Sequence, residues 1–363
     1  MNKPVKAAPR PLVGVTITGG LGNQLFQYAA GLALSERLDA ELRCDTYHYH
    51  HEATRTLALA EFGLSWTECR NPNARGALRV IARWFGAGRR APFGRTQFLL
   101  EEFGRFDPRV DAITESCYLE GYFQSWRYFE GHEASVRRVF DLNKISTRNT
   151  APMEAKIRAA RHPVAVHIRR GDYASQPLTL AFHGLLGADY YNAARRTIEA
   201  EVPDPTYFLF SDDPEAATAE LGDWPNLIPI GGLTAPEDLK LMALCEHFII
   251  ANSTFSWWGA WLAEAPGKRV VAPQHWFAPE KAHTTVLDDR YPPEWLRASS
   301  ASSKSGHHFC GSETRQFKDL ELPFRFNRNG KCSRATYPTN KKAARKGGLC
   351  ISVRSSRMAD QRE

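Results

Sequence analysis

Hydrophobic and polar positions divide the chain into two patterned stretches. In the first, residues 13–17 form a short β-branched run, residues 18–24 are glycine-rich and polar, and residues 25–38 carry Ala and Leu at helical spacing. This predicts a strand, a loop and a helix. The polar residues 143–152 break the periodicity and mark a domain boundary. Beyond them the alternation is regular: strands at 164–168, 207–210, 227–230, 247–251 and 269–272, separated by helices at 189–201, 214–221, 236–246 and 255–265. Strands alternating with helices of this length predict βαβ units and a parallel sheet covered on both faces. The chain then divides into a short basic N-terminus (1–10), an N-terminal domain (11–145), a C-terminal domain (146–298) and a tail (299–363).

Ligands on parallel sheets bind beyond the carboxyl ends of the strands, which makes three strand ends informative. The strand at 164–168 ends in His167-Ile168-Arg169-Arg170-Gly171-Asp172-Tyr173, the strand at 207–210 in Ser211-Asp212-Asp213-Pro214, and the strand at 247–251 in Asn252-Ser253-Thr254. On one rim they supply a bidentate cation, a carboxylate able to accept a paired N–H, and a helix N-terminus suited to phosphate oxygens. Each also has a plain structural reading. Arg169 or Arg170 can pair with Asp172, Asp212 or Asp213 can cap the helix opening at Pro214, and Ser253, Thr254 or Ser256 can cap a tryptophan-rich core helix. Glycines at 19, 20 and 22 allow close backbone approach, and Asn23 and Gln24 offer amide groups at the loop exit. The dinucleotide fingerprint GxGxxG is not completed there, because position 25 is Leu, which disfavours an NAD-dependent oxidoreductase.

Charge changes the picture less than its total suggests. The 363 residues carry a net +7, but residues 299–363 hold 14 Lys and Arg against 5 Asp and Glu, a net +9 that leaves −2 on the rest. The body therefore gives no reason to expect a nucleic-acid partner. The tail is rich in Ser, Lys and Arg without periodicity, as in a disordered segment. Two accounts of it stay open: an unconstrained extension, for example from a shifted reading frame, or a basic segment making peripheral contact with anionic membrane. No run of 18 apolar residues occurs and no signal-peptide hydrophobic region follows residue 10, so a cytoplasmic protein is expected. Cys44, Cys69, Cys117 and Cys245 stand singly, as reduced core thiols do, and His48, His50 and His51 match no standard zinc spacing. They suit a solvated loop or the edge of an acceptor site. The arginine-rich stretch 70–95 suits a solvated helical face or a membrane-surface helix.

Four phrases carry a resemblance: Gly19-Gly20-Leu21-Gly22-Asn23-Gln24-Leu25-Phe26-Gln27-Tyr28-Ala29, the His167–Tyr173 phrase, Phe210-Ser211-Asp212-Asp213, and Asn252-Ser253-Thr254-Phe255-Ser256-Trp257-Trp258-Gly259-Ala260-Trp261-Leu262. Together, in order, they resemble the motifs of the α-1,2-fucosyltransferases of glycosyltransferase family 11. The resemblance covers about residues 12 to 298. It implies an α/β fold of the GT-B class, two Rossmann-like domains facing across a cleft, and inverting transfer of fucose from GDP-fucose to the 2-hydroxyl of a β-galactoside-terminated glycan, without a cofactor or metal, in bacterial surface polysaccharide synthesis. It further implies that Arg169 stabilises the departing GDP, with His167 and Arg170 orienting the nucleotide or shaping the loop. Asp212 and Asp213 would meet the guanosine, Ser253, Thr254 and Ser256 would hold phosphate oxygens, Asn23 would reach across the cleft toward the sugar diphosphate, and Gly22, Gln24 and Asn252 would belong to the same substrate-binding set. Asp172 is the candidate general base, or else a buttress for Arg170. The aromatic run 119–129 fits core packing or a sugar-facing wall. Another fucosyl linkage, such as α-1,6, and a non-catalytic nucleotide-sugar-binding or glycan-binding module are the alternatives. Oligomeric state is not legible.

Overall fold

The computed structural model describes residues 10–50, 55–70, 96–102, 105–170, 180, 183–278, 289–299, 325–326 and 332–333. The arginine-rich stretch 71–95, His51 and Asp172 lie outside them, as does nearly all of the tail. The chain separates into two compact units, Met1–Gly306 and His307–Glu363. In the second, the described residues form two short strands, Arg325–Phe326 and Cys332–Ser333, paired antiparallel. No helix among the described residues is long and apolar enough to cross a membrane.

The first unit contains two parallel sheets. Strand β1 (Leu12–Thr16) leads into helix α1 (Leu21–Arg37), followed by β2 (Glu41–Asp45), β3 (Thr67–Glu68), β4 (Gln97–Leu100) and β5 (Cys117–Glu120). Their order is β3-β2-β1-β5-β4, with every pairing parallel. Helices α2 (Glu133–Val139) and α3 (Ala151–Ala159) then lead to the second sheet. It is built from β6 (Pro163–Ile168), α4 (Ala188–Glu199), β7 (Thr206–Ser211), α5 (Pro214–Leu221), β8 (Leu227–Ile230), α6 (Ala235–Ala243), β9 (His247–Ile249), α7 (Thr254–Leu262), β10 (Val270–Pro273) and β11 (Leu296–Ala298). The order β11-β10-β9-β6-β7-β8 is again parallel throughout. Every residue of β6 is buried, as a strand covered on both faces requires. Two parallel α/β sheets in one chain make this the GT-B class.

The second-sheet elements follow the expected alternation, with ends shifted by a few residues. Two differences matter. Helix α1 begins at Leu21, inside the glycine phrase read as loop, so Gly22, Asn23 and Gln24 lie on its first turn. Strand β11 adds an edge to β10 that the pattern did not suggest, because Leu-Arg-Ala alone has neither the length nor the alternation of a strand.

Helix α7 joins the two sheets. It is apolar nearly all round, and Trp257 and Trp258 are fully buried. A helix of that kind cannot face water and must be enclosed. Its partners come from the first-sheet side: Phe26 of α1 meets Trp257 and Trp258 at ring-centroid distances of 4.6 and 5.0 Å, and Phe129 and Phe140 meet Trp258 at 5.5 Å each. The Trp257 indole N–H donates to Arg290 O at 3.0 Å, satisfying its polar edge. Most of the 119–129 aromatics, including Phe123, Tyr128 and Phe129, are core, whereas Tyr122 is exposed.

Candidate active site

Helices α1 and α7 meet N-terminus to N-terminus. A Cβ at Gly22 would lie 2.5 Å from both Phe255 N and Thr254 C, so only a hydrogen fits between the helices. Neither first turn carries an acidic residue, and α1 begins after Gly20 with no side-chain cap. Two positive dipole ends thus abut with no protein carboxylate in either first turn to offset them, which creates a local preference for an anion.

Asn23 spans this junction. Its Oδ1 accepts from Thr254 Oγ1 at 3.0 Å and from Gln124 Nε2 at 2.8 Å, while Gln124 Oε1 accepts from Arg290 Nη1 at 2.6 Å. With the carbonyl end so occupied, the amide orientation is set and Nδ2 is the donor left to serve a ligand. Gln24 does not join it. Fully buried, it donates to Gly19 O and Thr56 O at 3.1 and 2.8 Å and accepts from Ala58 N at 2.9 Å, strapping the following loop to the glycine turn. Tyr49 Oη donates to the same Gly19 O at 2.7 Å, and Gly19 itself takes φ +80°.

On the second sheet the order β9-β6-β7 sets the three informative strand ends side by side. Arg169 and Asp212 form a loose pair, Nε to Oδ2 3.7 Å, and both are partly exposed. Asp212 Oδ1 accepts from Arg170 N at 2.7 Å. The Arg170 guanidinium instead turns inward, donating to Leu186 O at 3.1 Å and standing 3.5 Å from Glu220. Of the two arginines, then, Arg169 is presented at the rim and Arg170 fastens the chain entering α4. His167 is buried against the ring of Phe255, 5.6 Å between centroids. Burial, helped by Arg169, pushes its pKa down to about 3, so it is neutral at working pH. Asp213 caps α5, accepting from Ala216 N at 3.1 Å.

Within the Asn252–Ser256 phrase the side chains point differently. Ser253 caps α7 by accepting from Phe255 N at 3.3 Å, and Thr254 faces Asn23. Asn252 is a buried strut whose Nδ2 donates to His183 O at 2.9 Å and Trp276 O at 3.1 Å. Ser256 is fully buried, its hydroxyl on Ser253 O at 3.2 Å. The structure therefore brings Gly22, Asn23, Ser253 and Thr254 together at one junction, with His167 against Phe255 and Arg169 and Asp212 on the adjoining strand ends of the same rim. It assigns Gln24, Arg170, Asp213, Asn252 and Ser256 to holding that junction in shape. Gln124 and Arg290 were missed by sequence reasoning; the one available signal was a lone Gln in an aromatic run.

Among the described residues, one group of ligand-type side chains, His162, Glu246 and His247, brings its ligand atoms within 4.8 Å of one another. It stands at the amino ends of β6 and β9, away from the junction. Arg269 N donates to His247 Nδ1 at 3.1 Å, so the neutral ring carries its proton on Nε2, facing Glu246, with no lone pair for an ion.

A family model described as Glycosyl transferase family 11 matches residues 109–299. An O-antigen biosynthesis glycosyltransferase of Escherichia coli is 29% identical over 298 residues, covering 75% of this chain and 97% of its own. An alpha-1,2-colitosyltransferase of Escherichia coli is 31% identical over 299 residues, covering 79% and 98%. The human galactoside alpha-(1,2)-fucosyltransferase 1 is 25% identical over 294 residues, covering 77% and 72%. Among solved structures, a fucosyltransferase from Bradyrhizobium aligns with a TM-score of 0.41 at 16% identity, covering 70% of this chain and 93% of its own.

Proposed function

For a chain that belongs to glycosyl transferase family 11, we propose inverting transfer of L-fucose from GDP-fucose to the 2-hydroxyl of a β-galactoside-terminated glycan. The observation that carries this reading is the abutment of the α1 and α7 N-termini beside Arg169, a site for the diphosphate of a nucleotide sugar. As the glycosidic C–O bond breaks, negative charge grows on GDP and oxocarbenium character on the fucose ring. Donors fixed in advance stabilise that charge more in the transition state than in the ground state. Arg169 meets the β-phosphate with its planar fork, Ser253 presents its hydroxyl, Thr254 its backbone N–H, and Asn23 Nδ2 reaches from the first-sheet side. These cationic and dipolar groups fill the role that a divalent metal serves in other transferases, which supports a metal-independent reaction. Neutral His167 shapes the floor beneath Arg169 without adding charge. Asp212 accepts from the guanine N–H pair once the donor displaces its loose contact with Arg169.

The relative named for O-antigen biosynthesis supports a surface-polysaccharide acceptor. The relative named as a colitosyltransferase favours a second reading, in which the transferred sugar is colitose. The test is GDP release by purified protein supplied with GDP-fucose or GDP-colitose, with and without a β-galactoside such as lactose. Galactoside-dependent release from GDP-fucose supports the first reading, and release from GDP-colitose alone the second. No release from either donor would overturn both.

A further inference from the structure

Glu101 follows the last residue of β4 and stands on the carboxyl rim of the first sheet, its N–H bonded to Glu120 O at 2.9 Å across to β5. The chain beyond β5 is shaped around its carboxyl group. Glu101 Oε2 accepts from both Tyr122 N and Phe123 N at 2.7 Å. The turn that brings the two N–H groups together has Phe123 at φ +52°, a conformation that costs a bulky residue roughly 1–3 kcal/mol. The fully buried Phe123 ring, edge-on to Tyr128 at 5.1 Å, holds it there. Position 121 must be glycine, because a Cβ would lie 2.4 Å from Glu101 Cβ. A strained residue, an obligatory glycine and two backbone donors thus converge on one carboxyl group, and such strain clusters where function requires it.

The surroundings of the carboxyl group bear on what it does. Both backbone hydrogen bonds fall on Oε2 and the Tyr128 hydroxyl also bonds the carboxyl group, which, with about four lone-pair sites, keeps acceptor capacity for one more donor. Asp45, Glu68 and Glu120 also close strands of this sheet; Asp45 has both oxygens engaged, by Tyr47 N at 3.1 Å and Tyr118 Oη at 3.0 Å, and Glu68 Oε1 accepts from Thr46 Oγ1 at 2.6 Å and Trp66 Nε1 at 2.9 Å. The turn that holds Glu101 continues directly into Gln124, whose amide grips Asn23 at the α1–α7 junction.

From this arrangement the geometry points to Glu101 as the general base that takes the acceptor hydroxyl proton. The inference rests on the glycosyl transfer proposed above. In that step the acceptor O–H proton passes to the Glu101 carboxylate while the oxygen bonds to fucose C1; the bond from C1 to the β-phosphate oxygen breaks, its electron pair leaves with GDP, and Glu101 later returns the proton to water. The groups facing the carboxyl agree with such a role. Burial pushes its pKa up to about 7, outweighing the Phe123 amide, the Tyr128 hydroxyl, the Tyr122 amide and Arg290, all of which favour the ionised form. A base poised there is half ionised near neutral pH and gains most from accepting a proton in the transition state.

The test is the kcat–pH profile of the intact protein with GDP-fucose and lactose, for wild type and Glu101→Gln, beside Asp172→Asn. Gln keeps an oxygen for the two backbone donors. Wild type should show an acid limb near pH 7. Glu101→Gln should lose about 10²- to 10⁴-fold in kcat, keep its KM for GDP-fucose within threefold, and show no acid limb in what remains. Asp172→Asn should retain the limb. Glu101→Gln with more than a tenth of wild-type kcat, or with its acid limb intact, would overturn the assignment, as would loss of the limb in Asp172→Asn alone. A fall in thermal stability with the limb preserved would show a structural role instead. A wild-type protein that transfers nothing would remove the functional reading and this inference together.

Discussion

Gly22 and Phe255 approach so closely that a methyl group at position 22 would lie 2.5 Å from the Phe255 amide nitrogen. That contact sets the separation of the two helix N-termini on which the diphosphate site depends. Gly22→Ala must therefore push α1 and α7 apart, and over-packing of this kind costs about 1–3 kcal/mol. The expected outcome is a lower Tm together with at least tenfold weaker GDP binding by calorimetry. Unchanged GDP affinity would mean that the junction is only a packing contact.

The two neighbouring arginines should separate by phenotype. Arg169 is presented at the rim, so Arg169→Lys, which keeps the charge but loses the planar fork, should lower kcat by about 10²-fold or more at near-normal Tm. Arg170 bonds to Leu186 O and faces Glu220, so Arg170→Ala should lower Tm, by about 1–3 kcal/mol of stability, more than it alters kcat of the surviving folded enzyme. Steady-state kinetics paired with thermal melts check both. The reverse pattern would exchange the roles.

How much of this was legible from residues alone follows a physical line. Residues whose job is set by backbone course, such as the three adjacent strand ends carrying Arg169, Asp212 and Ser253, could be placed from the alternation of strands and helices, because a parallel sheet carries all its carboxyl ends to one rim. Side-chain direction was not legible. Asn252 and Ser256 sit in the same phrase as Ser253 and Thr254, yet the first two point into the protein, an outcome decided by helix phase and by distant acceptors at His183 and Trp276. The start of α1 was hidden because a Gly-Gly-Leu-Gly run carries the local preference of a turn, which packing against α7 overrides. Glu101, in a Leu-Leu-Glu-Glu sequence, looks like a solvated strand end until the Gly121–Gln124 turn is folded over it.

His167 predicts a pH dependence of stability. Its pKa falls from 6.5 to about 3 on folding, so between those values the unfolded chain binds the extra proton and stability rises with pH. The contribution is complete above about pH 6.5 and is lost as pH falls toward 3. His167→Gln should therefore flatten the pH dependence of Tm across pH 4–6. An unchanged slope would show that the ring is protonated, or solvated, in the folded protein.

Linkage and metal requirement are read together from the NMR spectrum of the product formed from GDP-fucose and lactose by the purified protein in EDTA. An α-linked fucose on the galactose 2-hydroxyl is expected, formed at the rate seen without chelator. Fucose on another hydroxyl, or product that appears only when a divalent metal is restored, would contradict the proposed reaction.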